Sequence, residues 1–247
     1  MKSIKDIIYD EKNNLTLDVN LPEEDEFDVF IYFHGGGLER GTKANGDRFA
    51  PDLAQRGIAT VSANYRKYPD AHYPDFIVDS ANVVAWVVKN IGSYGNAKRI
   101  FVGGSSAGGY LSMMLCFDRR YLEAVGVSPD AISGYIHDAG QPTSHFNVLR
   151  EKGIDSRRII VDETAPLYFI GLEKEYPPMI FIVSDNDMEN RFEQTTLVLS
   201  TLKHFGYDMS KVDYKLMNST HCAYGNKYDD NGKNELGKLI IEFIEKR

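Results

Sequence analysis

The sequence predicts an α/β fold: a mostly parallel central sheet with an antiparallel N-terminal edge, helices on both faces and at most a minimal lid. Three observations predict it. Apolar strand-like runs alternate with stretches of helical spacing along most of the chain, the pattern of strand–helix–strand units. The first runs instead alternate apolar and polar residues around Asn13-Asn14, as an edge hairpin does. Glycines then punctuate the joints where one kind of element gives way to the other.

The N-terminal part, through "NNLTLDVNLPE", supplies the edge hairpin, and "DVFIYFHGG" is a buried strand running into a glycine turn. "GDRFAPDLAQRG" reads as a helix stopped at Gly57, and "IATVSANYR" as the next strand. "PDFIVDSANVVAWVVKNIGSYG" has apolar residues at helical spacing and stops near Gly92 and Gly95. "RIFVGG" is a strand and "AGGYLSMMLCF" opens a helix. "AISGYIHDAG" and "PPMIFIVSDND" are further strands. "FEQTTLVLSTLKHFG" is a helix with a glycine stop, "VDYKLMN" the last strand and "NELGKLIIEFIEK" the closing helix. Residues 141–178 are irregular, and stretches of that length are usually functional or disordered. We read them as a small lid or pocket wall within one domain spanning residues 1–247, a length at which one α/β domain is common.

The bulk properties narrow the function classes. With 43% hydrophobic and 26% charged residues the chain has the composition of a soluble globular protein. A formal net charge of −8 disfavours nucleic acid and anionic membrane surfaces as partners, but does not exclude a small anionic substrate met by an opposing local field. The two cysteines, Cys116 and Cys222, have neither metal-ligand spacing nor a disulfide framework, which is consistent with a reducing compartment. "MKSIKDIIYDEKNN" lacks the apolar stretch of a secretory signal, and no run reaches the roughly 18 apolar residues of a membrane span. The expectation is a cytoplasmic protein with no metal and no organic cofactor; a homodimer is left open.

The chemistry is carried by "RIFVGGSSAGGYLSMML". Gly104-Ser105-Ser106-Ala107-Gly108 fits G-x-S-x-G centred on Ser106. There a strand turns sharply into a helix with the serine at the apex, and bulky residues two positions either side would collide. Centring on Ser105 also gives small flanks, but only Ser106 has glycine on both sides. A phosphate-binding loop would need G-x-G-x-x-G or a lysine after the glycines, and neither is present. Upstream, His34-Gly35-Gly36-Gly37 follows a buried strand. Successive glycines let backbone N–H groups face the negative oxygen that develops on an attacked carbonyl.

A serine needs a base. Of six histidines, His34 belongs to the glycine turn, His204 to an amphipathic helix, and His72 and His145 to loops, while His137 ends a strand. His221, in "NSTHCAY" after the last strand, is placed to reach Ser106. A Cys–His pair of Cys222 with His221 is disfavoured, because adjacent residues seldom face one another. An orienting carboxylate completes the set. Asp187 is preferred from its place past a strand and the chain order Ser–Asp–His; Asp185 is the runner-up and Asp138 the third choice.

With these residues in hand, the chain resembles the α/β-hydrolase superfamily, and within it the HGGG-type carboxylesterases: the hormone-sensitive-lipase-like group and the small acetyl- and feruloyl-esterase-like hydrolases. The resemblance rests on "FHGGG" at 33–37, "NYR" at 64–66, "YPDFIVDSANVVAWV" at 73–87, "GGSSAGGYLS" at 103–112, "PPMIFIVSDND" at 177–187 and "STHCAY" at 219–224. It implies the α/β-hydrolase fold, with Ser106 as nucleophile, Asp187 as acid and His221 as base. It also implies an oxyanion hole built from the N–H groups of Gly36, Gly37 and Ala107. Ser184 stands where the family's acid-bearing turn has glycine, which keeps Asp185 in play. Ser105 replaces an aspartate common before the nucleophile, and a long N-terminal cap is missing. The implied reaction is hydrolysis of a small-molecule ester with a short acyl group, acetyl esters of carbohydrate among them. Tyr65, Tyr73 and His137 are candidate pocket walls. An amidase, arylformamidase or peptidase with the same three residues is the alternative, and a non-catalytic binding protein on this scaffold the third reading. Only a neutral imidazole accepts the serine proton, so acid should silence the reaction.

Overall fold

The computed structural model describes all residues 1–247. Eight strands form one sheet: β1 (Lys2–Asp10), β2 (Leu15–Leu21), β3 (Glu26–Phe33), β4 (Ile58–Ala63), β5 (Asn96–Ser105), β6 (Gly134–Asp138), β7 (Met179–Asn186) and β8 (Val212–Thr220). Their order is β1-β2-β4-β3-β5-β6-β7-β8. β2 pairs antiparallel with β1 and with β4, and every pairing from β4 to β8 is parallel. The helices are α1 (Ala50–Ala54), α2 (Asp75–Asn90), α3 (Ala107–Phe117), α4 (Arg120–Ala124), α5 (Phe146–Glu151), α6 (Arg191–His204) and α7 (Glu235–Lys246). None is long and apolar enough to cross a membrane.

The pleat sorts each strand's side chains between two cores. Val29, Ile31 and Phe33 of β3, Val102 of β5, and Tyr135 of β6 face the side covered by α2, α3 and α6, in a cluster of 42 buried residues. Phe30, Tyr32, Phe101 and Ile136 face the other side, a cluster of 15 closed by α7. Since β3, β5, β6, β7 and β8 run parallel, their carboxyl ends share one edge, where the loops gather.

The N-terminal part forms the expected antiparallel edge hairpin, β1 pairing along its length with β2 from Lys2–Leu21 to Asp10–Leu15. One boundary differs from the sequence reading. The helix expected from Gly46 splits into a 3₁₀ segment, Lys43–Arg48, and the short α1, which starts with Pro51 in its first turn. Proline lacks the N–H that would continue a helix through that point. Within 141–178 the chain forms α5 and a 3₁₀ turn at Pro166–Phe169. His145 caps α5: its Nδ1 accepts from the Asn147 N–H at 3.2 Å.

Candidate active site

Ser106 stands alone between β5 and α3 at φ 55°, ψ −111°, a strained conformation for a residue with a side chain. The turn is held because the Ser106 N–H donates to the Asp138 carbonyl at 2.7 Å. The glycines flanking it are demanded by contact. A Cβ on Gly108 would lie 1.9 Å from the Phe33 carbonyl oxygen, and one on Gly104 2.5 Å from the same atom. The elbow therefore presses directly on the end of β3.

His221 follows β8 and reaches back over the sheet edge. The Ser106 hydroxyl donates to its Nε2 at 2.8 Å, and its Nδ1–H donates to Asp187 Oδ1 at 2.5 Å. Asp187 also accepts from the N–H groups of Met188 (2.8 Å) and Ser184 (3.2 Å). Burial by itself would raise the Asp187 carboxyl, but the bond and charge of His221 and the two backbone donors outweigh it and hold the group below its ordinary value. Asp185 turns elsewhere and accepts from the Ser219 N–H at 3.0 Å. Ser184 donates its hydroxyl to the Thr220 carbonyl at 2.9 Å. Asp185 and Ser184 thus tie the end of β7 to the end of β8, fixing the loop that carries His221.

The glycine turn after β3 lies against the elbow. Gly36 and Gly37 have φ of +119° and +66°. A Cβ on Gly36 would sit 2.3 Å from the Arg40 carbonyl oxygen. The N–H groups of Gly36, Gly37 and Ala107 have no acceptor within the chain. His34 orders this turn: its Nδ1–H donates to the Gly35 carbonyl at 2.7 Å, and its ring stacks on Tyr65 at 4.4 Å. Burial pushes His34 down to about 4, so it stays neutral.

Ser105 and Asp138 form a layer beneath the three residues. Ser105 Oγ donates to Asp138 Oδ2 at 2.5 Å, and Tyr224 OH donates to the other carboxylate oxygen. Tyr32 OH donates to Ser105 Oγ at 3.2 Å and accepts from Arg48 Nη2 at 3.2 Å. Asp138 is 1% exposed, and burial raises its carboxyl to about 6. Cys222 Sγ lies 3.9 Å from His221 Nε2, but burial and then the Asp138 and Asp187 charges push its thiol well up, so it stays protonated.

A cleft of about 660 Å³ opens over Ser106, lined by Gly35, Gly36, Gly37, His221 and Cys222 together with Phe146, Met188, Arg40, Arg48 and Arg150. From the stretch 141–178, Phe146 and Arg150 reach it. The three candidate wall residues do not line it. Tyr65 is buried beneath the glycine turn and donates its hydroxyl to the His34 carbonyl at 2.8 Å. Tyr73 packs on Phe76 and donates to the Glu163 carbonyl at 2.9 Å, outside the cleft. His137 shares the pleat side of Tyr135 and points into the core against Tyr135, Phe117 and Phe181, its Nδ1 2.9 Å from Ser112 Oγ. Burial pushes it down to about 3. The arginines of the cleft escaped the sequence reading, because their only signal is closeness in the chain to the glycine turn and to α5.

A family model described as BD-FAE matches residues 17–126. Carboxylesterase NlhH of Mycobacterium tuberculosis is 35% identical over 111 residues, which cover 43% of this chain and 35% of that protein. Probable carboxylesterase 7 of Arabidopsis thaliana is 32% identical over 123 residues, covering 44% and 39%. The solved structure of the Thermogutta terrifontis esterase Est2 with butyrate bound superposes with a TM-score of 0.77 at 20% identity, over 99% of this chain and 94% of that one. The fold is that of the α/β-hydrolases. The chain spans only 39% and 35% of the length of those two curated relatives. The matched segments take in the glycine turn and the serine elbow, while the likeness of fold extends over the whole sheet. At Ser105 and Ser184, the two positions where the sequence departs from the resemblance, the serine hydroxyl donates to Asp138 and to the Thr220 carbonyl respectively.

Proposed function

We propose that this protein is a serine carboxylic-ester hydrolase acting on esters of short acyl groups. The observation that carries the reading is the unbroken chain of hydrogen bonds from Ser106 through His221 to Asp187 beside three unpaired N–H groups. Ser106 Oγ attacks the acyl carbonyl while His221 Nε2 takes its proton. Asp187 holds the imidazole in the required tautomer and offsets the charge it acquires. The negative oxygen is met by the N–H groups of Gly36, Gly37 and Ala107. His221 then protonates the departing alcohol, and a water deprotonated by the same nitrogen releases the acid from Ser106.

An ester is favoured over an amide because the curated relatives carry carboxylesterase names. Acetyl is favoured over octanoyl as the acyl group, in keeping with the butyrate and propionate bound in the solved Est2 structures, and acetylated carbohydrates are the leading natural class. The test is a series of 4-nitrophenyl esters from acetate to octanoate, an acetylated sugar and a formyl-aryl amide. Acetate should turn over fastest, and Ser106→Ala should lower turnover by about 10⁶. Octanoate turning over faster than acetate would refute the short-acyl assignment. Failure of a fluorophosphonate to label Ser106 would return the chain to the non-catalytic reading.

A further inference from the structure

A second furrow of about 460 Å³ adjoins the serine cleft, and Phe146 and Met188 belong to both. It is lined by residues 156–159 and the start of α6, together with Gln141. The two furrows together are lined by six of the chain's twelve arginines and by no lysine, against two glutamates, Glu39 and Glu189. That is a local excess of positive charge on a chain whose net charge is −8.

The six are not equivalent. Arg150 is held by Glu39 at 2.7 Å, Arg157 by Asp155 at 2.5 Å, and Arg48 by Asn226 at 2.7 Å. Arg191 is the built part. It is 5% exposed, yet both its bonds go to neutral oxygens, the Ala139 carbonyl at 3.0 Å and Gln141 Oε1 at 3.5 Å, and its Nε is buried without a partner. Burying a guanidinium with no carboxylate bonded to it is costly. Burial accordingly pushes Arg191 down to about 10, against the smaller pull of the Asp187 charge. Arg191 opens the fourteen-residue α6, whose cap, Asn190, makes no side-chain bond to the first turn. The positive end of that helix adds to the same field. In the same lining, Arg158 is exposed and its guanidinium has no bonded partner.

We propose that this second furrow is an anion subsite, and that the hydrolase takes esters bearing a free carboxylate at a distance from the scissile bond. The carboxylate pairs with Arg158 over the Arg191 end of α6, while the ester carbonyl lies at Ser106 across the Phe146–Met188 sill. A single carboxylate suits one free guanidinium, whose planar fork donates two bonds to it. The proposal rests on ester hydrolysis at Ser106, and its test separates the two.

Monomethyl glutarate and dimethyl glutarate are titrated calorimetrically into the Ser106→Ala protein. The mono-anion should bind more tightly than the neutral diester, and adding Arg158→Gln should weaken it roughly tenfold. In the active enzyme, kcat/KM is compared for a free acid and its methyl ester, once with the acid on the acyl side (4-nitrophenyl glutarate) and once on the alcohol side (4-acetoxybenzoate). One pair should prefer the acid, and Arg158→Gln should lower that preference about tenfold. Equal binding of the two glutarates, unmoved by Arg158→Gln, overturns the subsite even if neutral esters are hydrolysed. Anion binding that depends on Arg158 in a protein that cleaves no ester upholds the subsite and sinks the hydrolase reading.

Discussion

At Ser106 the left-handed φ, the neighbouring glycines and the Asp138 carbonyl act together to hold one hydroxyl against His221. Asp187→Asn should preserve this geometry while presenting the wrong hydrogen-bonding pattern to Nδ1, lowering kcat by about 10⁴ in a steady-state ester assay. Asp138 makes a separate, titratable contribution. Its carboxyl moves from 3.8 to about 6 on folding, chiefly through burial. Between those pH values the folded chain holds a proton that the unfolded chain has released, so stability falls as pH rises through that window. The loss is roughly 3 kcal/mol. An Asp138→Asn variant lacks this titration. Its stability relative to wild type, from urea unfolding, should rise by about that amount from pH 4 to pH 7; parallel curves would show that burial does not shift this carboxyl. That Ser106, His221 and Asp187 come together was legible in the sequence because each sits at a joint marked by glycine or by a strand end. The places of Tyr65, Tyr73 and His137 were not. Whether a side chain at a strand end or loop enters a cleft or a core depends on the pleat and on packing from distant segments, and no local pattern records that.

At the scale of elements, the junction of β3, β5 and α3 is the rigid part of the design. Gly108→Ala would drive a Cβ into the backbone of Phe33, which has no side-chain freedom to yield. α3 must move off the sheet or β3 must shift, and either displaces the glycine turn. We expect a loss above about 3 kcal/mol and loss of ester hydrolysis. Gly57→Ala is the matched control. Gly57 has φ +67° but nothing within 4 Å of a Cβ, so only backbone strain is paid, about 1–2 kcal/mol, with activity retained. Urea unfolding of the two variants, each assayed on 4-nitrophenyl acetate, checks the contrast; equal losses would refute it. The elbow was readable because its glycines are forced by van der Waals contact. The first helix was misread as continuous because apolar spacing runs through "GDRFAPDLAQRG" while Pro51 restarts the helix.

Across the whole molecule, the alternation of strands and helices announced a parallel sheet, but the strand order β2-β4-β3-β5 is not written in any local pattern. Order emerges from which faces find cover, and the cover is unequal: 42 buried residues form one core and 15 the other. α7 supplies five of those 15, Leu236, Leu239, Ile240, Phe243 and Ile244, so the smaller core depends on one terminal helix. Phe243 is 2% exposed and meets Phe101 edge-on at 6.2 Å between ring centres. Phe243→Ala should cost about 3–5 kcal/mol. The same small core includes Tyr224, which bonds Asp138 beneath Ser106, so α7 and the site share a wall. Yet Tyr224 is also anchored from the site side by that bond, and the β5–α3 elbow is packed on the larger core. Folded Phe243→Ala protein should therefore keep kcat/KM within about twofold of wild type for a neutral acetyl ester, a margin worth less than about 0.5 kcal/mol. Following Trp86 fluorescence and ester hydrolysis through one urea titration tests this. The two signals should fall together; activity lost ahead of the fluorescence transition would mean that releasing α7 unlocks Tyr224 and disorders the serine elbow before the sheet gives way.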